Sequence, residues 1–294
     1  MEPVQANVVD NEEPFEPCPT PLSWQDVLRE FRAQSESWTV DIDGRSIAGR
    51  SIGEGPPLYF LNGLSGNLDL YSLTVWLLRE EYRCVLFDYP AGLRSESDLA
   101  ALLFGIADKF EHEKFSVFAT GAGCMTAFAA MKQNSSRLHK AIVQGGFASC
   151  RLSLTERMAL SLGAWCPGKL GSVPGAIGIL RQNHRPWFPP FDESRWSFAE
   201  ENLAGTPIAR LAGMAGLLKK FDCTNDLADI ASRTMLVRCE GDSPIQVEAQ
   251  DKLEQAMPDV PVEWLHTCGR LPFLTHPHRL KRIVLDFLSD VSGS

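Results

Sequence analysis

One stretch constrains this chain more than any other. FSVFATGAG, Phe115 to Gly123, is an apolar run that passes without a spacer into CMTAFAAMKQ. The first part reads as a buried strand and the second as a helix, so a sharp turn lies between them. A strand and the helix that follows it approach this closely only if the residues at the crossing are small. Ala119 and Gly123 meet that need on either side of Gly121. A strand entering a helix directly is half of a βαβ unit, and such units build parallel sheets.

The rest of the chain repeats the alternation. Ser23 caps a short helix with Trp24, Val27, Leu28 and Phe31 on one face. Trp38, Val40 and Ile42 alternate before Asp43-Gly44, a hairpin signal. PLYFLNGLSGN, Pro57 to Asn67, is a buried strand that ends in a glycine-rich loop. A helical stretch through Trp76 and Leu78 leads to the strand YRCVLFDYPAG, and HKAIVQGGF follows the central strand and helix. Between residues 149 and 229 the strand rhythm stops, in favour of short helical runs broken by GSVPG and RPWFPP. It then resumes with RTMLVRCEGD, a helix from Ile245 to Met257, VPVEWLHT and PHRLKRIVLDFL.

The expected fold class is therefore α/β: a mostly parallel, doubly wound sheet with right-handed crossovers and an inserted helical lid. The domain boundaries follow the rhythm. Residues 1–21 form an acidic, proline-rich tail that is expected to be disordered. Residues 22–148 and 230–294 form the two parts of the core, and residues 149–229 form the lid. Lids of this kind sit above the carboxyl ends of the strands, where open α/β sheets place their ligands.

Composition narrows the partners. A formal net charge of −9 with no basic run excludes a face that neutralises nucleic-acid phosphates. No apolar stretch reaches the ~18–20 residues needed to span a bilayer, so no integral membrane association is expected. The N-terminus lacks the basic-then-apolar layout of a secretory signal. The eight cysteines are scattered, without a CxxC pair or a Cys/His cluster. Reduced thiols in a cytoplasmic protein are expected, with no metal and no cofactor.

The order of these parts resembles the α/β-hydrolase superfamily. FSVFATGAGCMTAF is similar to its nucleophile elbow, in which a serine stands at the apex with its hydroxyl above the sheet. Here Gly121 occupies that position and offers no oxygen. LNGLSGN resembles the loop that donates one oxyanion-hole N–H, which implies Leu64 as donor and Ala122 as the second. FDYPAGLRS, Phe87 to Ser95, resembles the stretch after the next strand and keeps Asp88, Pro90, Arg94 and Ser95. Asp242 fits the acid position after the next-to-last strand. Arg270, in Cys268-Gly269-Arg270-Leu271-Pro272, stands where the superfamily has its histidine. Within the superfamily the chain most resembles maspardin, a small branch associated with adaptor-like roles. FDYP, the elbow and the ending CGRLPFL carry that likeness, from about Trp38 to Leu288. Maspardin retains an elbow serine, so Gly121 departs from it too.

Two functions from different classes follow. The first is a hydrolase fold without turnover, binding a small apolar ligand or a protein partner. Its lid aromatics, Trp165, Trp187, Phe188, Phe191, Trp196 and Phe198, suit either use or simply pack the lid on the sheet. The second is an active hydrolase with a displaced nucleophile, Ser65 or Cys124. Ser65 reads equally as a turn residue, and Cys124 as a packing residue in the first turn of the elbow helix. Cys268 carries the same two readings. His266, His276 and His278 lie near the right end of the chain but at the wrong offsets for a base; His266 reads as partly buried in a strand. Asp242 is expected either to cap the following helix or to form an ion pair with Arg270; the other expectation for Arg270 is that it faces an anionic ligand, since guanidinium readily binds carboxylates.

Overall fold

The computed structural model describes residues 23–149, 158 and 167–289. The N-terminal tail, Trp165 and the cysteines at 18, 150 and 166 lie outside the described residues. The first helix, α1 (Trp24–Gln34), is capped by Ser23, whose hydroxyl accepts the Asp26 N–H at 3.1 Å. Strands β1 (Glu36–Ile42) and β2 (Arg45–Ile52) form the hairpin that Asp43-Gly44 signals. Both turn residues have left-handed backbones, with φ 52° and 72°, as the tight turn of a twisted hairpin demands.

Six further strands complete the sheet: β3 (Pro57–Leu61), β4 (Arg83–Phe87), β5 (Phe115–Thr120), β6 (Leu138–Gln144), β7 (Thr234–Cys239) and β8 (Val262–Leu265). The order is β1-β2-β4-β3-β5-β6-β7-β8. The β1–β2 and β2–β4 pairs are antiparallel, and all the others are parallel. A doubly wound sheet results. The chain steps outward from β3 to β4, then returns past β3 to β5. The loops that follow β3 and β5 thus leave the sheet toward opposite faces and open a crevice between them.

The continuous apolar runs of β3, β4 and β5 have a physical reason. Each strand is covered on both faces, and alternate side chains enter two separate cores. Tyr59, Leu61, Val85, Phe87, Val117 and Ala119 pack with α3 (Glu96–Lys109) and α4 (Gly123–Gln133). Leu58, Phe60, Cys84, Leu86 and Phe118 pack on the other side with α1 and α2 (Ser72–Leu78). Ser95, read above as part of a motif, also caps α3 by accepting the Asp98 N–H at 3.1 Å.

The segment between β6 and β7 is helical where described, with α5 (Ala176–His184), α6 (Glu193–Ala204) and α7 (Ile208–Leu218). It is anchored on α1, where Trp24 Nε1 donates to Ser194 Oγ at 3.2 Å. The chain ends with α8 (Pro244–Ala256), α9 (Pro272–Thr275) and α10 (Pro277–Ser289). The first of these starts one residue before the expected Ile245. Among the described residues no helix is long and apolar enough to cross a membrane.

Candidate functional site

The site begins at the turn between β5 and α4. A Cβ on Gly123 would lie 2.3 Å from the Leu61 carbonyl oxygen and 2.9 Å from that of Asn62. Only glycine lets α4 start this close to β3. Gly121 is different. Its φ is +48°, and its N–H is pinned to the Gln144 carbonyl at 2.8 Å. A Cβ there would meet nothing nearer than the Gly63 Cα at 4.0 Å. The apex has a left-handed backbone and open space above it, and it bears no side chain.

The loop after β3 faces this apex. Asn62 donates its amide to the Phe87 carbonyl at 3.1 Å and to Asp88 Oδ1 at 3.2 Å. Gly66 donates its N–H to Thr206 Oγ1 at 2.8 Å, and its carbonyl accepts from Arg210. Arg210 also pairs with Asp88 at 3.4 Å. Burial raises the Asp88 carboxyl pKa, and the Arg210 guanidinium opposes that shift. Asp88 therefore ties the loop to the inserted segment, a role its motif did not reveal. Held this way, the Leu64 N–H has no acceptor among the described residues, and neither has the Ala122 N–H.

Across the apex stand the acid and histidine positions. Asp242 does not cap α8; Ser243 is the N-cap, and its N–H is bonded by Gln246 Oε1 at 3.2 Å. Asp242 Oδ2 accepts from Gln250 at 2.8 Å and from the Cys239 N–H at 3.3 Å. Its other oxygen is buried without a partner. Arg270 forms no ion pair with it, contrary to the sequence expectation: the bonds from Gln250 and the Cys239 amide both fall on Oδ2, and the guanidinium does not reach Oδ1. Arg270 Nε is also buried without a partner. Burial lowers the guanidinium pKa, and the Asp242 charge opposes the shift at a distance.

Trp187 explains why glycines precede both positions. A Cβ on Gly241 would lie 2.3 Å from its ring, and one on Gly269 2.6 Å from it. The indole is therefore clamped between the acid loop and the arginine loop. The other described aromatics of the inserted segment mostly pack: Phe188 and Trp196 are buried with ring centroids 5.4 Å apart, and Phe198 lies against Trp24. Phe191 is 90% exposed. None of them lines the cavity over Gly121.

That cavity has a volume of about 1330 Å³ and brings together Leu64, Ser65, Gly121, Ala122, Asp242 and Arg270. It leaves out Cys124, which is fully buried with its thiol 3.6 Å from the Phe147 carbonyl. Cys268 is likewise buried, its thiol donating to the Gly269 carbonyl at 3.2 Å. His266 is exposed and stacks on Trp264, rather than being partly buried. His278 is exposed as well, and His276 bonds Thr275 Oγ1 at 2.9 Å. The imidazole that does line the cavity is His184, at the end of α5. Nothing in its sequence surroundings marks it, since the superfamily pattern places its histidine after the last strand.

Burial, aided by the Arg270 cation, pushes the His184 pKa down to about 4. The native state thus favours the neutral ring. Its contribution to stability is complete above the ordinary pKa of about 6.5 and is lost as pH falls from there to about 4. Between pH 7 and 4.5 the wild type should therefore lose about 1–2 kcal/mol more than His184→Gln, allowing for partial exposure. Urea unfolding of both at the two pH values measures the difference.

No family model matches the sequence. Solved structures do match the fold. A hydrolase from Pseudomonas aeruginosa superposes with a TM-score of 0.71 at 17% identity, over 86% of this chain and 98% of its own. A thermophilic esterase from Thermogutta terrifontis gives 0.71 at 16% identity, over 88% and 100%. The enol-lactonase from Burkholderia xenovorans gives 0.71 at 15%, over 86% and 100%. With its eight-stranded, mostly parallel sheet and flanking helices, this chain has the α/β-hydrolase fold.

Proposed function

We propose that this chain is a hydrolase-fold protein that binds a small ligand in the cavity over Gly121 and does not turn it over. One observation carries the reading: the apex has room for a side chain yet bears none, with its nearest potential neighbour at 4.0 Å. Hydrolysis on this fold needs a nucleophile and a base that deprotonates it. Gly121 removes the first and Arg270 the second. The inserted helices act as a lid in this reading, with His184, Leu203 and Leu218 on the cavity wall. The likeness to maspardin belongs to the same proposal, since that branch is associated with adaptor-like rather than catalytic roles. The unbridged thiols of Cys84, Cys223, Cys239 and Cys268 fit a reducing, cytoplasmic setting.

The alternative is ester hydrolysis by a displaced nucleophile, the chemistry that the names of the esterase and the lactonase describe for those proteins. Ser65 is its best candidate because it lines the cavity and Cys124 does not. Its base would be His184, whose pKa of about 4 leaves it a poor proton acceptor. A panel of short-chain nitrophenyl esters decides between the readings. No turnover above buffer is expected from the wild type, Ser65→Ala or Cys124→Ala. Wild-type turnover that vanishes in Ser65→Ala would replace this proposal with the alternative.

A further inference from the structure

We propose that Arg270 makes this cavity a receptor for a monocarboxylate carrying an apolar tail. The inference rests on the ligand-binding reading above and names the class of ligand. Arg270 is half-buried on the cavity wall; its Nε is buried without a partner, and its guanidinium makes no ion pair or hydrogen bond among the described residues. Asp242, the carboxylate that could have neutralised it, is not in ion-pair contact with it: one oxygen is held by Gln250 and the Cys239 amide, and the charge acts on Arg270 only at a distance. A desolvated cation without a partner is costly, and an incoming anion relieves that cost. The planar guanidinium fork matches a carboxylate with two parallel hydrogen bonds.

The rest of the cavity agrees with this ligand. Leu64 and Ala122 also line the cavity, their N–H groups have no acceptor among the described residues, and Ala122 is the N-cap of the 11-residue helix α4. Leu70, Phe147, Leu203, Leu218 and Phe273 supply apolar lining for a tail. Charge disfavours a dianion more than a monoanion. Asp222, Asp242 and Glu248 line the cavity with Lys252 and Arg270, so a dianion such as phosphate meets about twice the repulsion from the excess carboxylate that a monocarboxylate meets.

Isothermal titration of the full chain with hexanoate, hexanamide and inorganic phosphate tests the proposal, with ester turnover measured on the same samples. Hexanoate is expected to bind the wild type, and Arg270→Gln to weaken it by about 10- to 100-fold. Arg270→Lys should fall between them, because it keeps the charge and loses the fork. Hexanamide should bind the wild type and Arg270→Gln alike, which also shows that the variant is folded. The proposal is overturned if hexanoate fails to bind the wild type, if Arg270→Gln binds it as well as the wild type, or if phosphate binds more tightly. Hexanamide binding without hexanoate binding would overturn the carboxylate assignment and leave the cavity a ligand site. Ester turnover would instead overturn the non-catalytic reading, independently of the titration.

Discussion

Gly123→Ala is expected to destabilise this protein by about 3 kcal/mol or more, at the severe end for a one-methyl change. The added Cβ would lie 2.3 Å from the Leu61 carbonyl oxygen and 2.8 Å from its carbon. Both are backbone atoms of the sheet, so no rotamer change relieves the clash, and β3 and α4 must separate. Separation exposes Leu61 and Ala119, which are fully buried where the two strands pair. Gly121→Ala, two residues earlier, should cost only about 1–2 kcal/mol, the price of a left-handed backbone for an L-residue. Gly178→Ala, in α5 with nothing within 4 Å, should be neutral or stabilising by about 0.5–1 kcal/mol. Urea denaturation of the three variants reads this order directly. It separates a glycine required by packing, Gly123, from one that packing permits to be otherwise, Gly121.

That distinction shows how far the sequence alone reaches. The elbow was legible because its need is local: a buried strand, small flanking residues and a helix follow one another without a gap. The hairpin at Asp43-Gly44 and the cap at Ser23 were legible for the same reason. Asp242 and Arg270 were singled out by their offsets from the last strands, and both line the cavity. Their relation could not be read that way. The ion pair expected between them is absent: Gln250, eight residues after Asp242, bonds one carboxylate oxygen, and Arg270 does not reach the other. His184, Trp187, Thr206 and Arg210 were invisible as site residues, since their roles depend on how the inserted helices settle on the sheet. Trp187 in particular was legible only as apolar bulk. Its place between Gly241 and Gly269 depends on two loops that are far from it in sequence.

The larger functional effect is expected from restoring both missing groups. In Gly121→Ser the hydroxyl enters open space next to the uncommitted Leu64 and Ala122 donors. In Arg270→His an imidazole takes the place of a cation, and the unpaired oxygen of Asp242 is available to accept its N–H. Each change alone leaves half of a unit whose members act together, so neither should raise turnover appreciably. Together they should raise nitrophenyl butyrate hydrolysis by about 100-fold or more over background, a fraction of what a complete triad contributes.

The most direct test of the account is therefore nitrophenyl butyrate hydrolysis by four proteins side by side: the wild type, Gly121→Ser, Arg270→His and the double variant. The account predicts background rates for the first three and measurable turnover for the double variant alone. Turnover by the wild type that equals or exceeds the double variant's would contradict it, and would show that the chain hydrolyses esters without a serine at its elbow.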